Sequence, residues 1–156
     1  MLNVNVLMVG KTREGFIREG LEFYRKRLKP LMQLNLTSVR EEKETAGLTP
    51  DTIKAKEGER LQTQAPPKSY LVALDPKGRE CTTEEFADWL TRRELAARPL
   101  AFLIGGHWGL AAAVLAAVNE RFSLSRLTLT HELARLILLE QLYRAMTIKM
   151  GHPYHV

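Results

Sequence analysis

Short apolar runs along this chain alternate with longer segments whose apolar residues are spaced as on a helix. Residues 3–10 (NVNVLMVG) form a short run with three β-branched valines that ends in glycine, which is typical of a strand. Residues 12–28 then place Phe16, Ile17 and Leu21 at helical spacing, which predicts a helix. The two patterns continue to alternate as far as residue 145.

The same patterns predict the remaining elements. Further strands are expected at residues 31–39, 69–75, 100–106 and 121–129, with a turn at residues 75–78. Further helices are expected at residues 51–65, 83–97, 110–119 and 129–145. Gly58 weakens the prediction of the first of these helices, whereas Thr82 and Glu85 form a capping box that begins the second.

Regular alternation of strand and helix predicts an α/β fold with a mainly parallel sheet. The run 100–106 (LAFLIGG) is apolar throughout, as in a central strand that is covered on both faces. Ligands in open α/β sheets bind beyond the carboxyl ends of the strands. This rule points to three loops, at residues 10–12, 74–78 and 105–109.

The loop with Gly105, Gly106 and Gly109 (FLIGGHWGL) lets the backbone approach a ligand closely. It lacks the Lys-Ser/Thr of a P-loop and the spacing of a dinucleotide fingerprint, which disfavours a dinucleotide oxidoreductase. Its GxxG segment also matches the backbone clamp of the KH RNA-binding fold, although so short a match is common by chance. A simple tight turn is an equal alternative, with His107 and Trp108 at the surface.

Residues 129–145 (LTHELARLILLEQLYRA) predict a helix with Thr130 as N-cap and no clearly polar face. Such a helix must be covered on most sides, so we expect a homodimer with this helix at its interface. Arg135, Glu140 and Arg144 would then lie near or inside the interface, where charges must be paired or used. An ordinary exposed pair of Glu140 with Arg144 is the alternative for those two residues.

Composition narrows the class of protein. A chain of 156 residues favours one domain, residues 1–156, and the net charge of +5 favours an anionic partner, with nucleic acid first. Cys81 is the only cysteine, which suits a reducing compartment, and no uncharged run approaches the ~20 residues of a membrane helix. No residue set has the spacing of a metal site. A cytoplasmic protein without membrane or metal is expected.

The chain end, residues 150–156 (MGHPYHV), carries His152, Tyr154 and His155, which is dense acid–base and stacking chemistry for a terminus. Together with residues 127–149, the glycine loop, the KEGERL segment and the VALDPKG segment, it resembles the large-subunit ribosomal RNA pseudouridine N3-methyltransferases of the SPOUT superfamily. The resemblance covers essentially the whole chain. Its specific part is the His-x3-Arg-x4-Glu-x3-Arg helix followed by Pro-Tyr-His.

The resemblance implies an α/β fold with a C-terminal trefoil knot, a homodimer, and S-adenosyl-L-methionine as cofactor. It also implies that the knot loops hold the cofactor, largely through the main chain. The residues at these positions are Leu74, Gly105, Leu124, Ser125, Arg126, Leu127, Thr128 and Leu129. His107 and Trp108 replace smaller or polar family residues, and Val156 stands where a basic residue is usual.

The resemblance further implies methylation of N3 of a pseudouridine in 23S ribosomal RNA, on the assembled ribosome. Arg144 would stabilise charge on the base, Glu140 would orient Arg144, and Tyr154 or His155 would contact the base and take its proton. The tail of one subunit could complete the pocket of the other. There are two alternatives: a SPOUT enzyme that methylates a ribose or a guanine, and a non-catalytic RNA-binding module that uses the GxxG loop.

Overall fold

The computed structural model describes the whole chain, Met1–Val156, around a five-stranded sheet in the order β2-β1-β4-β3-β5. All neighbouring strands are parallel. The strands are β1 (Asn3–Val9), β2 (Gln33–Val39), β3 (Tyr70–Arg79), β4 (Leu100–Ile104) and β5 (Glu120–Phe122). The helices are α1 (Gly15–Leu28), α2 (Pro50–Gln64), α3 (Thr83–Leu95), α4 (Ala112–Ala117) and α5 (His131–Lys149). The predicted α/β class with a parallel sheet is confirmed.

Helices cover both faces of this sheet. On one face, α1, α3 and α5 surround the larger core cluster, which contains Phe86, Trp89, Phe102 and Phe122. On the other face, Leu61 of α2 packs among buried residues of β1, β2 and β4. β4 is buried along its whole length, which explains its unbroken apolar sequence. Because the strands are parallel, all their carboxyl ends meet at one edge of the sheet.

Gly58 does not interrupt α2, and the structure shows why glycine stands there. A Cβ at this position would lie 2.5 Å from Cγ2 of Val114 in α4. The glycine therefore lets two helices on the same face of the sheet approach closely. Thr49 caps α2 by accepting the backbone N–H of Thr52 at 3.2 Å, which begins the helix one residue earlier than predicted.

Two predicted boundaries beside the later site were wrong. Residues 75–78 were expected to form a turn after β3, but the strand continues to Arg79 with an irregularity, because Leu74 and Arg79 both pair with Phe122. Gly78 permits this, since a Cβ there would lie 2.7 Å from the backbone of Phe122. The expected strand at 121–129 is shorter, because β5 ends at Phe122 and the residues after it are irregular.

α5 is longer than predicted, and Thr130 caps it by accepting the backbone N–H of Leu133 at 3.1 Å. Arg135 is expected near or inside a subunit interface, and in the structure it makes its contacts within its own chain. Its side chain is fully buried inside its own chain, where it donates hydrogen bonds to the carbonyl of Val9 and the hydroxyl of Thr12. The opposite face, with Leu133, remains partly exposed. None of the helices is both long enough and apolar enough to cross a bilayer.

Candidate functional site: a cleft beside the glycine loop and a cluster at the chain end

A cleft of about 610 Å³ opens at the carboxyl edge of the sheet. Its walls come from three segments: residues 74–76 of β3, the glycine loop after β4, and the irregular segment between β5 and α5. The first residues of α5, including His131 and Ala134, close one side. Two of the three segments that the strand-end rule selects therefore contribute to a single concave site, although the first of them lies within β3.

The glycine loop is a tight turn that needs its glycines. The backbone N–H of Gly109 donates to the carbonyl of Gly106 at 3.0 Å, and Gly109 has a positive φ of 82°. A Cβ on Gly105 would lie 2.4 Å from the carbonyl carbon of Gly109. His107 and Trp108 project outward from the turn, and the indole N–H of Trp108 donates to Glu44 at 2.9 Å.

Residues 123–130 have no regular structure because serine side chains satisfy the local backbone. The hydroxyl of Ser123 donates to the carbonyl of Ser125 at 2.8 Å, and the hydroxyl of Ser125 accepts the N–H of Leu127 at 2.9 Å. Such local bonds compete with a strand ladder. The main-chain groups of Leu124, Thr128 and Leu129 make no hydrogen bond within the chain. They are therefore free to bind a ligand in the cleft.

The cleft is electrostatically unlike the rest of this basic chain. Its 19 lining residues include the carboxylate of Asp75 and no lysine or arginine. Burial, reinforced by the guanidinium of Arg135, lowers the pKa of His131, so its imidazole is neutral at pH 7. A site with one carboxylate and no fixed cation favours a neutral or cationic ligand over a phosphate-bearing dinucleotide.

Seven of the eight residues expected to contact the cofactor line this cleft, and they come from all three segments. They are Leu74, Gly105, Leu124, Ser125, Leu127, Thr128 and Leu129. Arg126 does not line it, because its exposed side chain points to Glu80 at 3.5 Å. The expectations omitted Asp75 and His131. Their signal was position, since Asp75 follows Leu74 on β3 and His131 is the first residue of α5.

The four residues expected to act on the substrate form a second group, here called the terminal cluster: Glu140, Arg144, Tyr154 and His155. Nη2 and Nε of Arg144 donate to Oε1 of Glu140 at 2.6 and 2.9 Å. The hydroxyl of Tyr154 donates to the same oxygen at 3.2 Å, and the Arg144 guanidinium lies 4.7 Å from the centre of the Tyr154 ring. The chain end therefore folds back onto α5.

Contacts within the terminal cluster favour one tautomer of His155 and the neutral form of Tyr154. Nδ1 of His155 lies 3.3 Å from Nη1 of Arg144, which can only donate, so Nδ1 accepts and the proton resides on Nε2. Nε2 can then donate to Glu84 at 2.9 Å. The hydrogen bond with Tyr24, burial and the charge of Glu140 together raise the pKa of Tyr154, so its phenol is protonated at neutral pH.

The cleft and the terminal cluster lie at different points along α5 of the same chain. Ala134 lines the cleft, and Arg144 follows ten positions later on the same helix, which corresponds to roughly 15 Å along its axis. A smaller cavity of about 220 Å³, lined by Leu74, Thr83 and Gln141 among others, lies between them. Neither group contains three histidine, cysteine or carboxylate side chains arranged to hold a metal ion.

Comparison with protein families gives a match over residues 2–155 to the model described as "Predicted SPOUT methyltransferase". Among curated relatives, proteins named ribosomal RNA large subunit methyltransferase H are 39% identical in Carboxydothermus hydrogenoformans and 40% identical in Halothermothrix orenii. A protein with the same name, marked putative, is 43% identical in Methanoregula boonei. Each alignment covers 99% of this chain and 99% of the relative.

Solved structures agree on the fold. A probable methyltransferase from Bordetella pertussis superposes with a TM-score of 0.57 over 93% of this chain and 96% of its own. A probable methylase family protein from Haemophilus influenzae superposes with a TM-score of 0.54 over 99% of this chain and 71% of its own. Both are 14% identical to this chain, so they bear on its architecture alone.

Proposed function

Because this chain belongs to the SPOUT methyltransferase family, we propose that it transfers a methyl group from S-adenosyl-L-methionine to N3 of a pseudouridine in 23S ribosomal RNA. The substrate is the assembled ribosome in the cytoplasm. One observation carries the proposal: a chain with full-length relatives named ribosomal RNA large subunit methyltransferase H has a cleft walled by the residues expected to hold the cofactor.

The residues of the cleft fit S-adenosyl-L-methionine. Its adenosine part can bind the free main-chain groups of Leu124, Thr128 and Leu129 and pack against the Cβ-free surface of Gly105. The carboxylate of Asp75 and the neutral imidazole of His131 suit a ligand that carries positive charge. When bound, the cofactor supplies an electrophilic methyl group on a sulfonium.

The terminal cluster fits the other half of the reaction. N3 of a uracil ring carries a proton at neutral pH, and loss of this proton places negative charge on the ring oxygens. The guanidinium of Arg144 can stabilise that charge. Glu140 orients this guanidinium by accepting two hydrogen bonds from it. The protonated phenol of Tyr154 can donate to or stack on the base, and is not itself a base in this arrangement.

The proton acceptor in this scheme is His155. In the structure both its nitrogens have partners, since Nδ1 accepts from Arg144 and Nε2 donates to Glu84. When Arg144 turns toward the base, Nδ1 loses its donor and its lone pair becomes free to take the N3 proton. The same movement of Arg144 therefore frees Nδ1 of His155 to accept the proton and stabilises the deprotonated uracil ring.

The two groups are brought together by a second copy of the chain. Phe16 and Phe23 of α1 are 64% and 47% exposed, on a helix packed against α5. Leu133 and Leu136 of α5 are also partly exposed. An antiparallel pairing of α5 with its symmetry mate would set the terminal cluster of one protomer at the cleft of the other.

We also propose that α5 closes a C-terminal trefoil knot in the domain formed by residues 1–156.

A direct assay tests this function. We expect the purified protein to methylate one pseudouridine in ribosomes from cells that lack its gene, with S-adenosyl-L-methionine as methyl donor. Mass spectrometry of nuclease fragments would identify that nucleotide as a pseudouridine with one added methyl on its base, at N3. A methyl found on a ribose or a guanine would instead indicate the rival SPOUT activities, and RNA binding without cofactor binding would indicate a non-catalytic module.

A further inference from the structure

The third loop selected by the strand-end rule lies outside the cleft and lines a separate depression at the carboxyl ends of β1 and β2. Four cationic side chains, Lys11, Arg13, Arg18 and Arg40, surround it, with Glu41 as its only carboxylate. Its volume is about 700 Å³, and it shares no residue with the cleft. We call it the basic depression. Its charge is opposite in sign to that of the cofactor cleft.

The loop that lines one side of this depression is held by a buried cation that the proposed reaction does not use. The side chain of Arg135 has no exposed area. It donates to the carbonyl of Val9 at 2.6 Å and to the hydroxyl of Thr12 at 2.8 Å. Burying a guanidinium carries a desolvation penalty, so these hydrogen bonds are needed to keep it there. These hydrogen bonds fix the β1–α1 loop, and the buried charge adds positive potential near it.

A second residue of α5 fixes the next part of the same loop. Oε1 of Glu132 accepts the backbone N–H groups of Arg13 and Glu14, both at 3.0 Å. Burial alone would raise the pKa of Glu132, but these two backbone donors and Arg135 lower it, so the carboxylate stays charged. The cations of the basic depression are therefore presented by a preorganised loop.

Two of these cations are free to bind an anion. Arg13 pairs with Glu41, and Arg18 donates to the carbonyls of Thr12 and Arg13. The exposed side chains of Lys11 and Arg40, by contrast, make no ion pair in the structure. Unpaired cations around a concave surface attract phosphate groups and release counterions when they bind them.

We propose that the basic depression binds backbone phosphates of the ribosomal RNA segment that brings the target base to the cofactor, with Lys11 and Arg40 as the main contacts. The proposal rests on the proposed function, because ribosomal RNA is its ligand. β1 and β4 are adjacent strands, so the depression lies beside the glycine loop at the same edge of the sheet. Its sign of charge suits phosphate, whereas the cleft suits a cofactor without phosphate.

The test compares two double variants by their binding to ribosomes purified from cells that lack this protein, measured by co-sedimentation over a range of KCl concentrations. Lys11→Gln with Arg40→Gln removes the two free cations of the depression. Lys29→Gln with Arg92→Gln is the matched control, because it removes the same charge from the carboxyl ends of α1 and α3, at the opposite edge of the sheet.

We expect the first variant to bind ribosomes roughly 25- to 60-fold more weakly at 0.1 M salt, with a salt slope lower by about 1.4 to 1.8, as two lost phosphate contacts predict. The control should bind like the wild-type protein, and both variants should keep wild-type affinity for S-adenosyl-L-methionine. Equal binding by the two variants would overturn the basic depression as a phosphate site. A wild-type protein that binds neither ribosomes nor cofactor would overturn the proposed function itself, and this inference with it.

Discussion

Replacing Gly105 with alanine is expected to weaken S-adenosyl-L-methionine binding strongly and to lower the methylation rate at least about 100-fold. The new Cβ would lie 2.4 Å from the carbonyl carbon and 2.6 Å from the carbonyl oxygen of Gly109. These are backbone atoms of the opposite side of the turn, so a side chain cannot simply rotate away. The glycine loop must open, which moves the main chain expected to contact the cofactor, and a displacement on the order of 1 Å in a positioning element costs about 100-fold in rate. Calorimetric titration with the cofactor measures the effect.

Gly15→Ala is the matched control for this substitution. Gly15 begins α1, and a Cβ there would have no neighbour closer than 3.7 Å. Alanine is at least as favourable as glycine in a helix, and Gly15 does not line the cleft, so cofactor binding should be unchanged. Thermal unfolding of both variants shows whether the protein remains folded. A folded Gly105→Ala variant with wild-type affinity would mean that the cofactor does not bind at this loop.

Deleting residues 151–156 is expected to lower kcat at least 1,000-fold while cofactor affinity stays close to wild type. The deletion removes Tyr154 and His155, which contact Glu140 and Arg144 in the terminal cluster. Loss of one transition-state donor costs about 100- to 1,000-fold, and loss of a general base costs about 100- to 10,000-fold. None of the deleted residues lines the cofactor cleft. Single-turnover methylation of ribosomes and cofactor titration separate the two effects.

Removal of Val156 alone serves as the control, because this side chain is fully exposed and touches none of the cluster. It should leave methylation at the wild-type rate. The role of the tail would be contradicted if the longer deletion were fully active. It would equally be contradicted if cofactor affinity fell in parallel with activity, since the tail would then serve to bind the cofactor rather than to act on the base.

Periodicity was a good guide to the central elements because burial there is nearly complete. β4 and the capping box of α3 were predicted from the sequence and are confirmed. The predicted ends of strands were wrong where individual residues change the local backbone through contacts that the sequence pattern does not show. Gly78 allows β3 to run on past Leu74 against Phe122, and Ser123 and Ser125 use their hydroxyls to end β5 early.

The position of Arg135 could not be read from helical spacing. Only the tertiary structure shows that Arg135 faces the end of β1 and the loop after it, where Val9 and Thr12 accept its hydrogen bonds. The candidate site residues were predicted almost entirely through resemblance rather than periodicity. Main-chain binding leaves little trace in side chains, which is why the contribution of residues 124–129 depends on free backbone groups that no sequence pattern displays.

The central claim is that the cleft of one protomer works with the terminal cluster of its partner. A mixed dimer tests it most directly, with Gly105→Ala in one protomer and residues 151–156 deleted from the other, purified through two different affinity tags. Each homodimer of these variants should be inactive. The mixed dimer keeps one sound cleft and one sound tail on opposite protomers, so the account predicts about half of wild-type methylation, from one complete site out of two. A mixed dimer as inactive as its parents would contradict the shared site and would require the cleft and the cluster to act within a single chain.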